Sequence, residues 1–260
     1  MYSLPDRRRR RAVRPSPVFL AFVAASALGG YLAWTAASKT SARLGVFIFV
    51  LAAWVVTICF HEFGHAYAAH LAGDTSVEAA GYLTLNPLKY AHPLLSIVLP
   101  LIFIVQGGIG LPGGAVYLHP HTFRTRAQRS FAAAAGPLAN VVFAAILLAL
   151  AHGHQDGAHL AFWSAVSFLG WLQISAAVLN LLPVPGLDGY SIIEPYLDPA
   201  TAQSMEKVKP WGMLGVFVLL SLSSTINDRF FDLIDWFYGL SGVSTFFRAN
   251  GYGLFQFWRH

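Results

Sequence analysis

Residues 44–71, LGVFIFVLAAWVVTICFHEFGHAYAAHL, decide how this chain folds. The stretch is uncharged from Leu44 through Phe60, then sets His61, Glu62 and His65 into the same run. It exceeds the ~20 residues that a membrane-crossing helix needs. Its length predicts a helix that tilts or continues past the hydrocarbon. The rest of the chain agrees: 56% of the 260 residues are hydrophobic and 11% charged, against about 25% charged in a soluble domain. No soluble core of this size hides that much apolar surface, so the class is a polytopic membrane protein.

Outward from this run, a first span is expected from Val18 to about Ala37, and later ones over Ala132–Ala151, Leu160–Leu182 and about Trp211–Ser224. Phe230–Phe257 is aromatic but carries Asp232, Asp235 and Arg248, and reads either as a sixth span or as an interfacial helix. The first apolar run is too long for the core of a cleaved signal peptide and lacks a polar cleavage region, so it reads as an uncleaved anchor. Between the second and third runs the pattern changes. Glu78–Pro87 reads as a short strand closed by proline, and Ala115–His119 as another. Leu94–Val105, broken by Pro100 and followed by Gly107, Gly108 and Gly110, reads as a re-entrant dip. Such backbone is tolerated at membrane depth only where protein or a watery cavity covers it, and a substrate groove is expected there. The expected architecture is therefore all-α and polytopic, with about five or six transmembrane helices, a re-entrant segment and short membrane-associated β-strands. Residues 1–17 form a basic cytoplasmic arm and 18–260 a single membrane domain.

The net charge of +5 does not indicate nucleic acid. Six arginines, Arg7 to Arg11 and Arg14, precede the first span, and without them the remainder carries −1. A basic arm beside a span is the positive-inside signal and also touches anionic lipid. It places the N-terminus in the cytoplasm, and the Arg124, Arg126 and Arg129 loop on the same side. The single cysteine, Cys59, excludes an intrachain disulfide and reads as packing.

His61-Glu62-Phe63-Gly64-His65 is an HExxH sequence. On a helix, positions four apart share a face, so both imidazoles can reach one ion. Zinc binds histidine nitrogen and keeps a position open for water in catalytic sites, and Glu62 stands near enough to take that water's proton. An ionised acid within a span is costly and defaults to function, which sets this pattern apart from a chance HExxH on a soluble helix. A third ligand is needed. Asn180-Leu181-Leu182-Pro183-Val184-Pro185-Gly186-Leu187-Asp188-Gly189 ends a later span: its prolines stop the helix and its glycines permit a sharp reversal beside Asp188. By itself this reads first as an Asp-Gly turn at a helix end.

Taken together, HEFGH in one span and NLLPVPGLDG after a later one resemble the site-2 protease family of intramembrane metalloproteases. Gly136-Pro137-Leu138-Ala139-Asn140 and Leu83-Thr84-Leu85-Asn86-Pro87-Leu88 resemble further elements of it, the latter in its small bacterial branch. The resemblance covers roughly residues 44–211. It implies one zinc ion held by His61, His65 and Asp188, with Glu62 as catalytic base. It implies that Asn140 faces the site, where it could steady the oxyanion of the scissile carbonyl; a competing reading is an asparagine bonded across spans. Gly186 and Tyr190 depart from residues common around the Leu-Asp-Gly core of relatives. No PDZ or CBS module is found.

The expected activity is hydrolysis of peptide bonds in or near transmembrane segments of membrane proteins. The active site would lie within the bilayer, nearer its cytoplasmic face. Because a membrane helix shields its carbonyls, substrate must unwind, and a strand edge at Gly81, Tyr82, Leu83, Thr84 and Leu85, or at Ala115–His119, is expected to hold it by strand addition. His70 and His92 are expected near the interface, His119 and His121 in solvated positions, and His152, His154 and His159 in a polar outer loop. Broken helices and buried polar groups also suit a transporter, but no matched pair of halves is seen. A zinc-holding scaffold without hydrolysis is the other alternative, and the intact Glu62 counts against it.

Overall fold

The computed structural model describes residues 13–90 and 122–259, and every described element is helical. Ser16 opens α1 (Pro17–Trp34) by accepting from Phe19 N, with Pro17 in the first turn, where its missing N–H costs nothing. A Ser38/Ser41 capping box opens α2 (Lys39–Ala72), and Gly73, at φ 112°, closes it in the left-handed region. At 34 residues, α2 is roughly 51 Å long at 1.5 Å per residue, well beyond a ~30 Å hydrocarbon core. The length that the sequence suggested for this run is present. The α1–α2 contact is close because a glycine on each helix lets the other's backbone approach: a Cβ on Gly29 would lie 2.4 Å from Phe49 N, and one on Gly45 would lie 2.4 Å from Ala33 N.

Two short helices, α3 (Ser76–Ala79) and α4 (Pro87–Tyr90), flank a 3₁₀ turn at Tyr82–Thr84. The strand expected over Glu78–Pro87 is therefore corrected. Gly81 and Leu85 both take left-handed conformations, φ 79° and 54°, and Thr84 Oγ1 bonds back to Gly81 O. These turns prevent Gly81, Tyr82, Leu83, Thr84 and Leu85 from extending. Leu83 instead packs with Val77 against Ala66 and Ala69 of α2, so its side chain covers a helix rather than standing on a sheet face. The re-entrant dip, the strand at Ala115–His119, and His92, His119 and His121 lie outside the described residues.

A Thr125/Gln128 capping box opens α5 (Arg126–His152), which continues through Pro137. Then α6 (Leu160–Asn180) runs up the middle of the bundle against α1, α2, α5 and the C-terminal helices. Its best membrane window is 83% buried, against 22–50% for the other three long helices, so α6 is the central post. After it come α7 (Asp188–Ile193), a 3₁₀ turn (Glu194–Tyr196), α8 (Pro199–Glu206), α9 (Lys209–Leu222), α10 (Ser224–Gly239) and α11 (Thr245–Phe255). Among the described residues four helices, α1, α2, α5 and α6, are long and apolar enough to cross a membrane. A fifth span arises if α9 and α10, bent by 104° at their junction, are counted as one. Phe230–Phe257 is thus neither one span nor one interfacial helix. It divides at Gly242, φ 66°, and α11 returns against α6, where a Cβ on Gly251 would lie 2.1 Å from Ser164 O.

Candidate metal centre

One turn apart on the buried face of α2, His61 and His65 are 5% and 6% exposed. Each ring is aimed by its Nδ1. For His65 the partner is the main-chain carbonyl of Ala132 on α5, at 2.8 Å. For His61 it is the amide oxygen of Asn140, also on α5. Both partners accept, so both rings carry their proton on Nδ1 and present an Nε2 lone pair inward. The two Nε2 atoms are 3.1 Å apart.

Asp188 completes the group from the other side of the bundle. Helix α6 ends at Asn180, and Pro183 and Pro185 keep the following turn from continuing it. Gly186 takes φ 97°, and a Cβ there would lie 2.3 Å from Lys209 O. Leu187 is extended, and Asp188 opens α7. A Cβ on Gly189 would lie 2.2 Å from Leu181 O. The loop is thus folded tightly onto both its flanks. It delivers Asp188 Oδ2 to 3.2 Å from His61 Nε2, and Oδ1 to 3.4 Å from His65 Nε2.

These separations can be tested against a metal. A tetrahedral zinc with ligands at ~2.0–2.2 Å sets its ligand atoms roughly 3.3–3.6 Å apart, close to the 3.1–3.4 Å between the ligand atoms of the three residues. Two inward lone pairs at 3.1 Å repel unless a cation lies between them, and Asp188 Oδ2 is buried with no hydrogen-bond donor. The residues fit a zinc ion. Among the described residues they are the only group of three or more so placed.

Glycine makes the room. The GPLAN stretch brings α5 against the two rings, and a Cβ on Gly136 would lie 2.2 Å from His65 Nε2 and 2.7 Å from His61 Nε2. Gly64 serves the same contact from α2, where a Cβ would lie 2.8 Å from Ala135 O. Glu62 is buried beside the ligands at 4% exposure. Asn140 is buried at 4% exposure. It bonds across spans, its Nδ2 donating to Gln173 Oε1 at 2.7 Å, and it touches the centre through His61. Sequence reasoning missed Gly136 as a spacer and Gln173 as the partner of Asn140. A polar residue in the apolar run of α6 was the available signal for Gln173.

The Asp188 segment is also latched to α5. Glu194, 9% exposed, pairs with Arg129 and Lys209 at 2.8 Å each, and Ser130 Oγ donates to Ile192 O at 2.6 Å. Glu194→Gln weakens both pairs without changing shape. The expected loss lies between the ~1 kcal/mol of an exposed pair and the ~3–5 kcal/mol of a fully buried one. It is read as a lower thermal unfolding midpoint of the detergent-solubilised protein, and an unchanged midpoint would refute the latch.

Elsewhere, two histidines of the loop before α6 are used in packing. His159 stacks on Trp34 at 3.5 Å and reaches Trp34 O through Nδ1, and His154 stacks on Trp163 at 4.0 Å. The turn at Gly81–Leu85 lies against α2 beside Phe63, Ala66 and Ala69.

Comparison with known proteins gives the centre its context. The pattern described as Peptidase family M50 matches residues 152–222, which include Asp188 but not the two histidines. A protein of Mycolicibacterium smegmatis named "Putative zinc metalloprotease Rip2" is 51% identical over 251 residues, with 96% of each chain covered. The protein of the same name from Mycobacterium tuberculosis is 46% identical over 252 residues, again with 96% of each covered. "Putative zinc metalloprotease YwhC" of Bacillus subtilis is 33% identical over 174 residues, 64% of this chain and 76% of that one. No solved structure matches the chain. Near-complete alignment at this identity, together with a histidine–histidine–aspartate centre inside a helical bundle, means that the chain belongs to peptidase family M50, the site-2 protease family.

Proposed function

We propose that this protein is a zinc-dependent intramembrane endopeptidase that hydrolyses peptide bonds in or near the transmembrane segments of other membrane proteins. The observation that carries the reading is the meeting of His61, His65 and Asp188 within an apolar bundle. The zinc metalloprotease names of the relatives support both the metal and the reaction.

His61, His65 and Asp188 would hold the zinc, which when bound polarises the scissile carbonyl and acidifies a water molecule. Glu62, fixed on the same helix, accepts a proton from that water and hands it to the departing amine. Asn140 keeps the His61 ring turned toward the ion, the second function that metal-site partners usually serve. Burial in the bundle keeps bulk water away from the reacting groups.

Substrate helices shield each carbonyl by intrahelical hydrogen bonds. Segments with helix-weakening residues near the cut are therefore the preferred substrates. The arginines before α1 and at the start of α5 favour a cytoplasmic N-terminus and a cytoplasmic end of α2 at Ala72. His65 and His61 then lie roughly 10 and 16 Å from that end at 1.5 Å per residue, within the membrane and nearer the cytoplasmic face.

The test is cleavage of a model transmembrane substrate by the full chain in detergent. Cleavage should stop when a chelator strips the metal and return on adding zinc. A zinc-loaded preparation that cleaves none of a panel of helix-weakened transmembrane substrates would overturn the reading. Ion flux through liposomes that survives chelation would favour a transporter instead.

A further inference from the structure

We propose that Gln173 is a positioning residue of the metal centre, acting with Thr57 to fix which ring nitrogen of His61 faces the ion. The inference rests on the metal-site reading above and deepens it.

Gln173 and Thr57 are 1% and 4% exposed, in the middle of α6 and α2. Neither side chain is hydrogen-bonded to the His61 ring. They form the far part of one hydrogen-bonded chain. Thr57 Oγ1 donates to Trp54 O at 2.8 Å, Gln173 Nε2 donates to Thr57 Oγ1 at 2.8 Å, Asn140 Nδ2 donates to Gln173 Oε1 at 2.7 Å, and His61 Nδ1 meets Asn140 Oδ1. Every bond in the chain points the same way.

That direction has a chemical consequence. A side-chain amide has almost the same shape either way round, so Asn140 alone could present NH₂ to His61 as easily as oxygen. Presented with NH₂, His61 would have to accept at Nδ1 and carry its proton on Nε2, where an N–H would point at the metal position and ligation would fail. Gln173 prevents the flip by offering its oxygen to Asn140 Nδ2. Thr57 prevents the same flip in Gln173, because its own proton is committed to the Trp54 carbonyl. The start of the chain is thus a main-chain group that cannot reverse.

His65 needs no such relay, since its Nδ1 reaches the Ala132 carbonyl directly. Both ligands are therefore oriented by backbone carbonyls, one at first hand and one through three side chains. The same bonds also tie α2, α5 and α6 together, so the test reads the metal centre itself and not stability alone.

The experiment compares full-length wild type with Gln173→Leu, Thr57→Val and Thr57→Ser in detergent. It measures zinc affinity by chelator competition and the visible spectrum of cobalt-loaded protein, which reports coordination geometry. Gln173→Leu is expected to weaken zinc binding about 10- to 100-fold and to shift the cobalt spectrum. Thr57→Val should act in the same direction by roughly tenfold, and Thr57→Ser, which restores the hydroxyl, should stay within roughly twofold of wild type. Thr57→Val added to Gln173→Leu should cost little more, because the relay is already broken.

Zinc affinity within twofold of wild type and an unmoved cobalt spectrum in folded Gln173→Leu would overturn the proposal. Should that variant fail to fold, the nearly isosteric Thr57→Val decides by the same criteria. Wild type that binds no zinc would remove the metal-site reading along with this one. Wild type with bound zinc and an indifferent Gln173→Leu would remove this one alone.

Discussion

Glu62→Gln is expected to leave zinc bound while lowering the cleavage rate by about 10²–10⁴-fold, the contribution of a positioned general base. Glutamine keeps the size of the buried side chain but has no basic oxygen at neutral pH, so it cannot take a proton from water or return one to the amine. The ligands are untouched: His61, His65 and Asp188 reach each other without Glu62, and the bonds that aim the rings come from α5. Metal content by elemental analysis and cleavage of a transmembrane substrate are therefore expected to separate in this variant. Near-normal cleavage in the variant would assign the proton transfer elsewhere, and loss of the metal would make Glu62 part of the ligand shell.

Gly136→Ala is expected to do the reverse and abolish the centre itself. The added methyl would lie 2.2 Å from His65 Nε2 and 2.7 Å from His61 Nε2, on the side of the rings that faces the metal position. Neither ring can retreat without leaving its Nδ1 partner on α5, so the ligand atoms must shift by several tenths of an ångström or more. Metal sites tolerate about ±0.2 Å. Zinc affinity should fall by at least about 10²-fold, beyond the 10–100-fold typical of a changed outer partner, and approach that of His65→Ala and Asp188→Ala measured alongside. Alanine is the better helix former by ~0.8–1.0 kcal/mol, so the loss cannot be ascribed to a weakened α5. Stoichiometric zinc at wild-type affinity in Gly136→Ala would show that Gly136 does not press against the ligand rings.

The two predictions divide along the line between sequence and structure. Glu62 is legible from its neighbours in HEFGH, because a glutamate between two histidines at helical spacing has a local chemical meaning. Gly136 is not. Its motif could be quoted, but nothing in GPLAN says that two histidine rings from a helix some seventy residues earlier press against that glycine. The strand expected over Glu78–Pro87 went the other way. Tyr, Leu, Thr and Leu before a proline have strand propensity, yet left-handed turns at Gly81 and Leu85 close the segment, and burial of Leu83 against α2 outweighs propensity.

What the sequence determined by itself is the four long apolar helices and the pair of histidines at helical spacing, whereas Asp188 was named only through the resemblance. Uninterrupted apolar length and i,i+4 spacing are local properties, and a bilayer enforces them whatever the rest of the chain does. Tertiary structure alone decided which groups meet. The separation of Asp188 from the histidines, the carbonyl and amide that orient their rings, and the relay through Gln173 to Thr57 all depend on how α2, α5 and α6 pack. That packing is set by small residues and buried polar contacts scattered over more than a hundred positions, and no single window of sequence contains it.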